Sequence, residues 1–218
     1  MRASLADQSI AIALGANLGD PASTLIAVRP LLEQVVDGWL NAKAPASGWA
    51  YLTPNHTRYR WSPLFRTEPV GGPDDQPSYL NAVLVISTAG LGDPAGDPSD
   101  QAPANATAPA MALLRRLQGL EAQFGRQRHE HWGPRSLDLD LLWCGDLCCQ
   151  SSELELPHPR LLERSFVLAP LAAVDPNLIP PGQTSRSPKS CGALLEQLLP
   201  QLQQAPPKRV PPQQGWPE

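Results

Sequence analysis

The sequence predicts an α+β sandwich, a split βαβ sheet of antiparallel strands with helices packed on one face. Three observations carry that prediction. Apolar alternation or β-branched runs mark strands in "SIAIALGA", "YLNAVLVIST" and "SLDLDLL". Apolar residues at helical spacing mark "STLIAVRPLLEQVV" and "AMALLRRLQGLEAQFG". Along the chain the order is strand, helix, strand, strand, helix, strand.

Each element has its own local reason. "SIAIALGANLGD" (9–20) is a short strand running into a glycine turn, and Asp20-Pro21 opens the first helix. Pro30 interrupts the helical pattern, so a kink or an early break is expected there. Residues 38–57 read as an irregular insertion. "RYRWSPLFRTEPV" (58–70) is strand-like, with Pro63 pointing to an edge position or a bulge. "GGPDDQPS" is a loop, and 79–88 is a strand. Residues 93–109 hold no large apolar side chain and are expected to be a disordered insertion. The second helix, 110–125, stops at Gly125 and is followed by a polar, arginine-rich loop. Then come the aspartate strand (136–144), a turn at Gly145-Asp146 and a short return strand. Two brief helical segments in 157–176 and a last helix in "CGALLEQLLPQL" complete the body. This is the ferredoxin-like βαββαβ order with extra C-terminal elements, and it leaves function open.

The 218 residues, 42% hydrophobic, suit a single domain over 1–201. The 26 prolines and 16 glycines exceed what such a core needs, and 202–218 reads as a disordered Pro/Gln-rich tail. A net charge of −4 argues against general nucleic-acid binding. No signal-peptide pattern and no membrane-length apolar run is present, so a cytoplasmic protein with no membrane partner is expected. The four cysteines (Cys144, Cys148, Cys149, Cys191) read as reduced thiols. Only three of the 17 basic residues are lysines, and G-x-x-x-x-G-K-[ST] is absent, which excludes a P-loop. Any phosphate binding must use arginine forks.

The chemistry concentrates in 126–142. Asp138 and Asp140 share one strand face, where two carboxylates repel and are costly to bury unpartnered. Directly before them a Gly/Pro-bounded loop carries Arg126, Arg128 and Arg135. Carboxylates beside guanidiniums suit a polyphosphate bridged by Mg²⁺: carboxylates hold the metal, the metal holds phosphate oxygens, and arginines take the remaining charge. Phosphoryl or pyrophosphoryl transfer is the reading. The alternative is a Mg²⁺-dependent phosphohydrolase or nuclease using the same aspartates.

"WGPRSLDLDLL", followed by "LPHPRLLERSFVLAPL", resembles the 6-hydroxymethyl-7,8-dihydropterin pyrophosphokinase family of folate biosynthesis. "LGANLGD", "FRTEPVGG" and "QPSYLNAV" resemble the same family in the same order, and the likeness covers 9–36, 58–88 and 110–201. The resemblance implies the ferredoxin-like fold, ATP as co-substrate and two Mg²⁺ ions. It also implies transfer of the ATP diphosphate to 6-hydroxymethyl-7,8-dihydropterin with release of AMP. The partners expected are these small molecules, with the chain a monomer. Asp138 and Asp140 match metal ligands, and Arg126 and Arg135 match the arginines of the chemical step. Gln118, Glu121, Arg128, Arg135, Leu141, His158 and Arg164 match nucleotide contacts. Thr67, Val70, Tyr79, Asn81, Trp132 and Phe166 match the pterin slot. An amide such as Asn81 offers a donor and an acceptor to a pterin edge, and ring planes suit a flat heteroaromatic. The chain departs from the family at His131, where many members have another arginine, and at Glu153 and Glu155.

Overall fold

The computed structural model describes residues 9–43, 58–71, 75–87, 107–126 and 133–217. β1 (Ser9–Ala16) leads into α1 (Pro21–Lys43); β2 (Arg58–Trp61) and β3 (Phe65–Thr67) precede β4 (Tyr79–Ser87). α2 (Ala108–Gln123) then returns the chain to β5 (Asp138–Cys144). β1 lies between β5 and β4, and β2 and β3 both pair with the far edge of β4, every pair antiparallel. With β2 and β3 taken as one interrupted strand, this is the ferredoxin-like sandwich.

Alternation decides what each face meets. Ile10, Ile12 and Leu14 of β1, Leu84 and Ile86 of β4, and Leu139 and Leu141 of β5 pack against α1 and α2. On the other face Ala11, Val83, Val85, Leu142 and Trp143 lie under α3 (Ser165–Val174) and α4 (Cys191–Leu198). The two helices of the βαββαβ order thus share one face as expected, and the C-terminal additions cover part of the second. A one-residue shift in the β1–β5 register, between Ala11 and Ile12, is what lets Leu142 and the adjacent Trp143 both enter this second core.

Several local expectations are corrected. α1 neither breaks nor ends near Pro30, which sits on the exposed side of the helix, so the hydrogen bond it cannot make falls toward water. The helix continues through 38–43, the start of the expected insertion, because Leu32, Val36, Trp39 and Leu40 extend one apolar stripe. Trp39 donates its indole N–H to the Pro109 carbonyl at 2.9 Å, fixing α1 to the start of α2. The remainder of the two insertions, 44–57 and 93–106, lies outside the described residues. Pro63 splits the second strand as a bulge would. The Ser62 hydroxyl accepts the Val83 N–H at 2.9 Å and so carries the β4 ladder past the break. Of the two helical segments expected in 157–176, only α3 forms. The earlier one is a run of turns. The last helix ends at Leu198, with a 3-10 turn over Leu199–Gln201.

The tail is the largest correction. β8 (Lys208–Arg209) pairs with β3 and covers that sheet edge. Trp216 is buried edge-on against Trp61, with ring centroids 5.2 Å apart, and donates its indole N–H to the Ser62 carbonyl at 2.9 Å. Prolines are compatible with an edge strand, and a single aromatic anchor supplies the burial that the composition hides. A small hairpin, β6 (Cys149–Gln150) with β7 (Glu155–Leu156), completes the body. All four cysteines are free thiols.

Candidate active site

The part of the second face left open by α3 and α4 holds a cavity of about 340 Å³. β5 delivers Asp138 and Asp140 to it opposite Gly15 and Ala13 of β1, where small residues leave room above the sheet. The question raised by two carboxylates on one strand face is answered by arginines. Arg135 hydrogen-bonds one oxygen of Asp138, and Arg126 brings Nη2 to 2.8 Å from the other. Arg164 donates to Asp140 at 3.2 Å. Burial, and then the Asp140 charge, push the Asp138 carboxyl above the usual carboxylate range, with the two guanidiniums opposing the rise.

His158 is placed by its backbone N–H, which donates to the Leu142 carbonyl at 2.8 Å. Its Nε2 lies 3.3 Å from Arg164 and 4.0 Å from Asp140. Burial, then the Arg164 charge, lower its pKa to about 4, so at neutral pH it is an uncharged ring among charges. Beyond the charged cluster the cavity is walled by Thr67, Val70, Tyr79, Asn81 and Phe166. Asn81 donates to the Thr67 hydroxyl at 2.7 Å, which fixes its amide. Tyr79 donates to the Gly133 carbonyl at 3.2 Å. The Arg164 guanidinium stands 5.5 Å from the Phe166 ring centroid, a cation–π contact that joins the two halves of the cavity.

Most of the expected site residues thus meet in one place, and three do not. The Leu141 side chain points into the helix-side core, as strand alternation dictates. Glu121 is 2% exposed, and its Oε1 accepts the Leu139 N–H at 2.8 Å while holding Arg126. Both these contacts are internal to the protein. Gln118, one turn earlier on α2, does not line the cavity. Arg128 and Trp132, like His131, lie outside the described residues. Glu153 makes only a loose surface pair with Arg115 at 3.9 Å.

Other residues of the site were not foreseen. Gly15, Glu68 and Arg160 line the cavity. Asn17, also buried, accepts the Arg135 N–H at 2.7 Å and donates to the Pro77 carbonyl at 3.1 Å. An asparagine inside a glycine-rich turn was the available signal, but its partner is 118 positions away.

The donor set fits Mg²⁺ carried in with a polyphosphate. Asp138 Oδ1 is buried without a hydrogen bond, since Arg126 is near it but misaligned, and so keeps a lone pair free. Among the described residues no group of three acidic, His or Cys side chains converges on one point. A site with two carboxylates suits a hard cation that takes its remaining oxygens from phosphate and water.

A cavity that pairs carboxylates and guanidiniums with an amide-and-aromatic slot is suited to phosphoryl or pyrophosphoryl transfer to a flat second substrate. Known proteins sharpen that class. The family model described as 7,8-dihydro-6-hydroxymethylpterin-pyrophosphokinase (HPPK) matches residues 101–176. A 2-amino-4-hydroxy-6-hydroxymethyldihydropteridine pyrophosphokinase from Pseudomonas aeruginosa is 32% identical over 177 residues, covering 81% of this chain and 86% of the relative. The protein of the same name from Haemophilus influenzae is 32% identical over 78% of this chain and 83% of its own. That from Synechocystis is 36% identical over 64% of this chain and 59% of its own length. The chain belongs to the 6-hydroxymethyl-7,8-dihydropterin pyrophosphokinase family.

Proposed function

We propose that this cavity transfers the diphosphate of ATP to the hydroxymethyl group of 6-hydroxymethyl-7,8-dihydropterin, releasing AMP, in folate biosynthesis. The observation that carries the reading is the side-by-side arrangement of the Asp138/Asp140–arginine cluster and the Asn81–Thr67 slot in one cavity. Asp138 and Asp140 are the ligands for Mg²⁺, with two ions as the proposed number. When bound, the metal neutralises polyphosphate charge and aligns the phosphorus for displacement.

The chain's own groups do the rest. Arg126, Arg135 and Arg164 pass from the carboxylates to phosphate oxygens as the nucleotide enters, so the apo ion pairs keep the forks near their working positions. His158, uncharged, can accept or donate a hydrogen bond to nucleotide without adding charge. Thr67 and Val70 offer backbone groups, Asn81 its amide, and Tyr79, Phe166 and Trp132 ring surface to the pterin. Gln118, Leu141 and Arg128 stay assigned to the nucleotide side, the first two through backbone or rearrangement.

The reading assigns no general base to the hydroxymethyl group: rate comes from positioning and charge neutralisation. The proposal extends to a cytoplasmic monomer. Among the described residues no helix is long and apolar enough to cross a membrane.

The test is a single incubation with ATP, Mg²⁺ and the reduced hydroxymethylpterin. AMP and pterin diphosphate should form in equal amounts. ADP as the product, or phosphate release without pterin consumption, would replace this reading with the phosphohydrolase one.

A further inference from the structure

Gly15 stands at the one place in the cavity floor where the two half-sites meet. On β1 it pairs with Asn81 of β4 on one side and with Asp138 of β5 on the other. The three residues form one row across the sheet, on the face away from α1 and α2. Directly opposed residues in antiparallel strands have Cβ atoms about 5 Å apart. Asn81 and Asp138 are therefore separated by roughly two such steps, with bare backbone between them.

That bare backbone is required by its neighbours. A Cβ built on Gly15 would come within 3.0 Å of Asn81 Oδ1 and 3.8 Å of Tyr79 Cδ1. Asn81 cannot easily yield, because it is 6% exposed and its Nδ2 is tied to Thr67 at 2.7 Å. Gly15 is not in the left-handed region, unlike Gly19 at φ 64° or Gly125 at φ 76°. The glycine thus serves space rather than backbone geometry. On the Asp138 side, the buried Oδ1 lies 2.8 Å from Arg126 Nη2, so the same row ends in the charged cluster.

We infer that Gly15 is a positioning residue for the transfer, an inference that rests on the reading above. Its missing side chain keeps the Asn81 amide against the pterin edge. It also leaves open the strip that the hydroxymethyl group must cross to reach phosphorus held over Asp138. The hydroxymethyl oxygen forms the new bond to the β-phosphorus as the bond to the AMP oxygen breaks, and its proton leaves to solvent. Filling the strip with one methyl group displaces the acceptor amide and lengthens that approach, while the nucleotide's own contacts lie beyond it.

The experiment compares wild type, Gly15→Ala, Asn81→Ala and the double variant by calorimetry. One titration uses the reduced hydroxymethylpterin, the other a non-hydrolysable ATP analogue with Mg²⁺; turnover and melting temperature are measured alongside. Gly15→Ala should weaken pterin binding about tenfold, the value of one well-placed hydrogen bond. Turnover should fall on the order of 10²-fold, as expected for an ångström-scale misplacement. Nucleotide affinity should stay within about twofold, since no contact on that side is lost. The double variant should bind pterin no worse than Asn81→Ala alone, because both changes act through the same amide. Unchanged pterin affinity in Gly15→Ala, equal losses for both ligands, or additive losses in the double variant would each overturn the inference. So would a Gly15→Ala protein that fails to fold and is not rescued by Asn81→Ala, since the clash would then lie elsewhere. Failure of the wild type to bind pterin or form AMP is a different result, and removes the underlying functional reading instead.

Discussion

Arg126 is held between two carboxylates: Oε1 of Glu121 on one side and, at 2.8 Å, Oδ1 of Asp138 on the other. The helix-borne acid faces inward and the strand-borne acid faces the cavity, so one guanidinium links the sheet's interior to its working face. This pairing makes Asp138 a structural partner in the apo protein, beside the metal-binding role proposed for it.

Removing the Asp138 charge leaves Arg126 and Arg135 facing each other over a neutral group. Against that loss stand the burial and the Asp140 repulsion that raise the Asp138 carboxyl, so Asp138→Asn should change apo stability little. Asp140→Asn, more exposed and paired with Arg164 and His158, should change it little as well. Mg²⁺-dependent nucleotide binding should collapse in both, because an amide is a poor ligand for a hard cation. Denaturant titrations and calorimetry with Mg²⁺ and nucleotide check the pair; full activity in either variant contradicts the metal assignment.

The two arginines and Glu121 should separate by effect. Arg126→Ala and Arg135→Ala are expected to fold and to slow turnover on the order of 10³-fold, with pterin affinity much less affected. Glu121→Ala should instead cost stability, about 1–3 kcal/mol, because the buried Leu139 N–H loses its acceptor. Glu121→Gln keeps an acceptor there and should recover most of that stability while leaving Arg126 less well held. Thermal denaturation read beside kcat distinguishes the two roles.

Burial first, and the Arg164 charge second, put the His158 pKa at about 4 in the folded protein, against 6.5 for an unperturbed side chain. Between those values the unfolded chain binds the proton and the folded one does not. The His158 contribution is therefore fully present above about pH 6.5, is lost as pH falls toward about 4, and changes no further below that. Its span is about 3 kcal/mol at most, and solvent reaching the ring reduces it. The unfolding free energy of apo wild type relative to His158→Gln, measured from pH 4 to 7, should fall as pH falls. A constant difference across that range would show that the ring is not kept neutral.

Trp216 closes the tail over the Ser62–Leu64 break. Trp216→Ala should cost about 3 kcal/mol, the low end for a large buried aromatic because this one lies near the surface. The melting temperature should fall by several degrees for each kcal/mol lost. An unchanged melting temperature would mean that the tail contributes nothing to the folded state.

What depends on short-range periodicity was legible from the residues alone. Alternation in 79–87 and 137–141 separates a core face from a working face, and helical spacing in 23–36 and 110–123 places the two helices of the first core. The motif around Asp138 and Asp140 and its resemblance to a family were legible for the same reason, since the two aspartates and the arginine-rich segment are contiguous in the chain. Local rules failed where a residue's partner is remote. Pro30 suggested a break because its exposed orientation is set by packing on the opposite helix face, and 202–217 looked structureless because its anchor, Trp216, finds Trp61 from 155 positions away. Tertiary structure alone decided that Glu121 looks inward, that Asn17 pins Arg135, that arginines occupy the carboxylates, and that Gly15 lies between Asn81 and Asp138. Each of these is a contact between segments whose meeting depends on strand register and on the direction of burial, and neither quantity is encoded within a window of a few residues.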